Sequence, residues 1–187
     1  KAIKYLSNKY GFWVIEDASH AIGAQYSMSP VGSCAYSDIT VFSFHPVKIV
    51  TSGEGGAALT NDPKLDMKMK LLRSHGITRD PEHMENPNDC AWYYEQIDLG
   101  FNYRMTDIHA ALGLSQLERL SEYVERRHSI AAVYDLAFKD NNLKIPFRNS
   151  ENVSALHLYI VQVDELVHAE IFHNLCAKGV GVNLHYI

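Results

Sequence analysis

The chain has 187 residues, 47% of them hydrophobic and 21% charged, and a net charge of −5. That balance belongs to a folded globular protein; the acidic charge argues against a nucleic-acid partner, and the apolar runs are too short to span a membrane. Three scattered cysteines, Cys34, Cys90 and Cys176, fit a reducing, cytoplasmic compartment, and ten histidines without a paired ligand spacing predict no metal site.

In chain order the pattern predicts alternating helix and strand. Residues 2–10 read as a helix closed by Gly11, and 12–16 as a buried strand, because Phe12-Trp13-Val14-Ile15 is unbroken apolar sequence. A helix is expected after Asp17. Further strands are predicted over 39–43 and 56–60. Asn61-Asp62-Pro63 turns into a helix over 64–73, with proline at its first position and Leu65, Met69 and Leu72 at helical spacing. The polar segment 80–90, with Pro81 and Pro87, reads as a surface loop. Thr106 or Asp107 caps a helix carrying Ile108, Ala111, Leu112, Leu114 and Leu117, which continues over 118–140 as a connection between domains. A strand at 155–163, a helix at 165–178 stopped by Gly179 and a strand at 180–187 complete the pattern. The fold class is α/β, with a large domain over 1–140 and the start of a smaller one over 141–187, divided within 141–151 where asparagines break the periodicity. The chain begins without a methionine, inside a helix, and stops on a strand. A piece of a longer protein, truncated at both ends, is expected.

Two stretches carry chemistry. Glu16-Asp17-Ala18-Ser19-His20 closes the first strand. Ser43-Phe44-His45-Pro46-Val47-Lys48 leaves the second and runs into Thr51-Ser52-Gly53-Glu54-Gly55-Gly56. Asp17 is thereby placed at the carboxyl end of a strand, where ligands collect in open α/β sheets. The pair supplies what pyridoxal phosphate (PLP) requires. Lys48 offers an amine for a Schiff base and for proton transfer, Asp17 a carboxylate that keeps the pyridine nitrogen protonated, and Ser43 a hydroxyl for the phosphate. Singly, each has a plain alternative. Lys48 also fits a solvated surface amine, Asp17 a helix cap, His20 a half-buried helix residue and His45 a turn former before Pro46. Asn102 and Arg104 fit loop and capping positions, and His185 and Tyr186 an edge strand. The conjunction, in this order, singles out the cofactor reading.

These stretches are similar to those of the DegT/DnrJ/EryC1/StrS sugar-nucleotide aminotransferases, which are fold-type I PLP enzymes. Arg73-Ser74-His75-Gly76, the run from Leu99 through Asn102 and Arg104 to Asp107, and Gly181-Val182-Asn183-Leu184-His185-Tyr186 extend the resemblance over essentially the whole chain. It implies part of a large mixed-sheet PLP domain followed by the beginning of a small C-terminal α/β domain. It also implies Asp17 at the pyridine nitrogen, His20 by the ring and its 3-hydroxyl, Lys48 as the Schiff-base lysine and Ser43 on the phosphate. Asn102, with Arg104 beside it, is implied to reach the phosphate of a partner subunit, which makes a homodimer with shared active sites. His45, His185 and Tyr186 fall on the substrate side. The wording of 43–48 and Trp92-Tyr93-Tyr94-Glu95 resembles the branch that aminates a UDP-linked 4-keto-6-deoxy sugar towards pseudaminic acid, with glutamate as donor. Two alternatives stand beside it: a PLP-dependent sugar dehydratase, whose branch of the family has histidine in place of Lys48, and an inactive fragment that serves only as a dimerisation piece.

Overall fold

The computed structural model describes residues 1–88, 90–141 and 143–186. Helix α1 (Ala2–Tyr10) ends at Gly11, whose φ of 73° and N–H bond to the Ser7 carbonyl at 2.7 Å make a left-handed cap. Strand β1 (Ile15–Asp17) follows, then a hairpin of β2 (Gln25–Tyr26) and β3 (Ser29–Pro30), then β4 (Ile39–Ser43) and β5 (Gly56–Leu59). Helix α2 (Pro63–Arg73) opens as the sequence predicts, with proline at its start and Asp62 accepting from the Lys64 N–H at 2.8 Å. The short strands β6 (Ile77–Thr78) and β7 (Glu95–Gln96) pair with each other and flank a 3-10 turn at Pro81–His83. Asp89, within the predicted loop 80–90, lies outside the described residues. Helices α3 (Asp107–Leu117) and α4 (Leu120–Phe138), strand β8 (Asn152–Val153) and helix α5 (Glu165–Ala177) complete the chain.

The sheet that positions the chemistry is mixed, in the order β1-β4-β5. β1 runs parallel to β4, with Asp17 opposite Val41, and β5 runs antiparallel to β4. Parallel pairing brings the carboxyl ends of β1 and β4 to one edge, so Asp17 and Ser43 leave the sheet on the same side. The core gathers beneath that edge. Ala18, Ile22, Ala24, Phe42, Phe44, Ile49, Val50 and Ala155 form one buried cluster, so the loop bearing Lys48 is seated on the core by the residues on both of its sides.

Four sequence expectations are corrected. The 12–16 strand is shorter and exposed: β1 is a sheet edge, and Trp13 and Ile15 stand 69% and 67% open because, among the described residues, no strand pairs its far side. No helix follows Asp17; two turns replace it, closed by Ala21 N–H to Ala18 O and Ala24 N–H to Ala21 O, each 2.9 Å. The 107–140 helical stretch breaks at Glu118–Arg119 into α3 and α4. Residues 155–163 and 180–186 are not strands: among the described residues their one ladder contact is an isolated bridge between Lys144 and Gln162. Ile187 lies outside the described residues, as does Asn142 in the predicted boundary. Among the described residues no helix is long and apolar enough to cross a membrane.

Candidate functional site

Asp17 sits where β1 ends. Its Oδ1 accepts from the Ser19 hydroxyl at 2.5 Å and from the Ser19 N–H at 3.0 Å, the local turn that replaces the expected helix. Both bonds favour the anion, and the positive charges of His20 and Lys48 add to them, so the carboxyl is held below its ordinary value of 3.8. Among the described residues Oδ2 has no partner.

The Lys48 loop is held by backbone bonds on both sides. Phe44 donates to the Gly55 carbonyl at 2.8 Å, Ser52 donates to the Phe44 carbonyl at 3.0 Å, and Lys48 donates to the His45 carbonyl at 2.9 Å. Val50 and Ser52 are wholly buried, and the Ser52 hydroxyl donates to the Glu54 carbonyl at 2.9 Å. Gly53 takes a φ of 83°, a left-handed turn that a residue with a Cβ adopts only under strain. Among the described residues no hydrogen bond or ion pair engages the Lys48 ammonium, yet its charge acts on Asp17, His20 and His157. The loop is fixed, and among the described residues its amine has no partner.

His20 and His185 join this group. Partial burial comes first in lowering the His20 pKa, with the Lys48 charge next and that of His185 a smaller contribution; Asp17 opposes them. Ser43 stands half-buried at the end of β4, where its hydroxyl accepts from the His45 N–H at 3.4 Å. The exposed His45 ring accepts from the Val47 N–H and faces Glu54 at 4.0 Å. Tyr186 is 74% exposed and packs on the ring of His185, with centroids 4.8 Å apart.

Asn102 and Arg104 lie elsewhere. The backbone from Phe101 to Tyr103 is bonded to the end of α2, through Phe101 N–H to Leu72 O and Tyr103 N–H to Arg73 O. Both predicted side chains point from an exposed segment. Arg104 shares a cleft of about 390 Å³ with Ser74, Ile77, Arg79 and Tyr94, and a second cleft of about 470 Å³ runs beside it from Asp66 to Ile97. Neither cleft is lined by Asp17, His20 or Lys48. Lys48, Asp17 and His185 therefore all act electrostatically on His20, beside the carboxyl end of β1, and Asn102 and Arg104 stand outside that group.

Sequence reasoning missed His157. Its ring packs on His20 with centroids 4.3 Å apart, and its Nδ1 is the one fully buried side-chain nitrogen or oxygen without a partner among the described residues. Burial, followed by the charges of His20, Lys48, Arg127 and His185, lowers its pKa to about 4. The available signal was a lone histidine within the apolar run 155–163.

The sequence matches the DegT/DnrJ/EryC1/StrS aminotransferase family across residues 1–187. The chain belongs to this family. Members of it are PLP-dependent, and Spr1654 of Streptococcus pneumoniae has been solved in PLP and PMP forms; this family member aligns with that protein at 30% identity and TM-scores of 0.82 and 0.83, over 97% of this chain and 46% of that one. The UDP-4-amino-4,6-dideoxy-N-acetyl-beta-L-altrosamine transaminase of Campylobacter jejuni is 39% identical over 98% of this chain and 47% of its own length. Helicobacter pylori PseC, an aminotransferase of pseudaminic acid biosynthesis, superposes on the whole chain and on 48% of PseC with a TM-score of 0.87 and 32% identity. The chain thus spans about half the length of the relatives it matches. The expected α/β aminotransferase fold is the one found.

Proposed function

We propose that the protein is a PLP-dependent transaminase that converts a UDP-linked 4-keto-6-deoxy sugar to the 4-amino sugar, with glutamate as donor. The observation that carries this reading is a Lys48 amine, without a partner among the described residues, whose charge helps hold the Asp17 carboxylate anionic at the carboxyl end of β1. The residues fit the group. Asp17 has an oxygen without a partner among the described residues, Lys48 has a free amine, and the site keeps the orphaned Nδ1 of His157. When bound there, PLP supplies the electron sink for moving an amino group between carbons.

The chain's own residues do the rest. Lys48 would hold the aldehyde of PLP through Nζ and would be the proton carrier of the site. Asp17 holds a proton at the pyridine nitrogen, since its charge persists well below neutral pH. His20 would hydrogen-bond the 3-hydroxyl through a ring nitrogen, and Ser43 would bond the phosphate. His45, His185 and Tyr186 border the sugar nucleotide. Asn102 and Arg104 serve the phosphate of a second copy. Their exposure outside the Lys48 group, and the open apolar surfaces of Leu99, Phe101 and Ile108 around them, support a homodimer with shared sites. We place the protein in the cytoplasm, where its three unpaired cysteines stay reduced, and we place the start of the smaller domain within 141–151.

The test is spectroscopic. Added PLP gives the protein a visible, yellow absorbance that Lys48→Ala lacks, and added glutamate bleaches it with release of 2-oxoglutarate. An identical spectrum in the two proteins overturns the reading. A Lys48-dependent band that releases no 2-oxoglutarate keeps the cofactor site and overturns amino transfer from glutamate.

A further inference from the structure

His157 comes to the site from far along the chain, and the structure holds it there tightly. β8 pairs with β2, anchoring Asn152 opposite Tyr26, and Ala155 is 1% exposed within the core cluster. From α4, the Arg127 guanidinium donates to the carbonyls of both Leu156 and His157 at 3.1 Å, and His128 Nε2 lies 2.8 Å from the Ser154 carbonyl. Between them Leu156 takes a φ of 49°, a left-handed conformation that strains a residue with a side chain and persists only where surrounding contacts enforce it. Two helix residues, a core alanine and a strained leucine thus fix one imidazole. That imidazole meets the ring of His20 at 4.3 Å, tilted by 47°.

We propose that His157 is a positioning residue of the Lys48 site: its ring, packed on that of His20, fixes the direction in which His20 presents its nitrogens to the group that Lys48 holds. The last clause rests on the proposed function; the bracing of His20 does not. Charge supports the arrangement. Lys48, Arg127 and His185 all disfavour a proton on His157, and Lys48 and His185 disfavour one on His20, against which Asp17 pulls the other way. Two neutral rings pack at this tilt without repulsion, whereas two imidazolium rings at this distance repel. His20 keeps one face in solvent and has the other covered by His157. An α4–Arg127–His157–His20 chain therefore ties helix α4 to the turn that follows β1.

The experiment follows the imidazole resonances of the chain against pH without added PLP, in the wild type and in His157→Ala, His157→Phe and His20→Asn. Uncovering His20 in His157→Ala moves its titration up towards the ordinary 6.5, while the phenyl ring of His157→Phe keeps the face covered and the titration low. In His20→Asn the His157 titration rises from about 4. A residue that merely fills the core lowers the melting temperature of His157→Ala and leaves His20 titrating unchanged; that result overturns the proposal. Should His157→Ala not fold, the other two variants decide it: a raised His20 titration in His157→Phe, or an unmoved His157 in His20→Asn, overturns it equally. Because PLP is absent, failure of the cofactor reading leaves this outcome intact, and the converse holds.

Discussion

Asp17 shows how little machinery sets a charge. Two bonds from Ser19 reach one carboxylate oxygen and leave the other for a ligand. Ser19→Ala removes the hydroxyl bond, the largest cause of the lowered pKa, so the Asp17 carboxyl titrates closer to 3.8, as carboxyl NMR will record, while activity at neutral pH is retained. Asp17→Asn keeps the shape and loses the charge. Transamination should fall by about 10²–10³-fold, the scale of removing one preorganised electrostatic partner, with the melting temperature nearly unchanged because the residue is exposed. The places of Asp17 at a strand end and of Lys48 in the loop after the next long strand were legible in the sequence, because local wording marks both. His157 was not: it meets His20 through tertiary packing, and no local periodicity encodes a contact between residues so far apart in the chain.

Elements were legible where local signals decide them and obscure where partners do. The helix caps at Gly11, Asp62 and Thr106 follow from side-chain chemistry within a few residues and are all found. Strands need a neighbour to complete their ladder, so the apolar runs 155–163 and 180–186 form no strand, and among the described residues their one ladder contact is the Lys144–Gln162 bridge. The Lys48 loop depends on its buried flank. Val50→Ala empties a fully enclosed site and should destabilise the fold by about 1–3 kcal/mol, measured by denaturant titration, and weaken PLP retention in step. Gly76 is tied more severely. A Cβ there meets the Asp98 carbonyl oxygen at 1.9 Å and the φ is 70°, so Gly76→Ala must displace the backbone that carries Phe101 to Arg104. A loss exceeding about 2 kcal/mol is expected; a variant as stable as the wild type contradicts the β6–β7 geometry.

At the scale of the molecule, His157 links the site to stability. Its pKa is about 4 in the folded chain against 6.5 ordinarily, so between those values the unfolded chain binds more protons. The stability this group contributes is whole above pH 6.5 and is lost as pH falls to about 4. Linkage sets a ceiling of about 3 kcal/mol on it, and partial solvent exposure lowers the figure. Calorimetry from neutral to mildly acid pH should show the melting temperature falling, and His157→Phe should lack that part of the fall. The overall α/β class was readable from the alternation of helix and strand patterns along the chain. Which faces stay open was not, because exposure depends on what each sheet edge lies against.

The central claim is that Lys48 holds the cofactor, and its most direct test is chemical trapping. The protein is incubated with PLP, reduced with borohydride so that a carbon–nitrogen double bond becomes a stable amine, digested and mapped by mass spectrometry. The account predicts a single phosphopyridoxyl adduct on Lys48, absent from Lys48→Ala and diminished in Asp17→Asn. An adduct spread over surface lysines with Lys48 unmodified contradicts it.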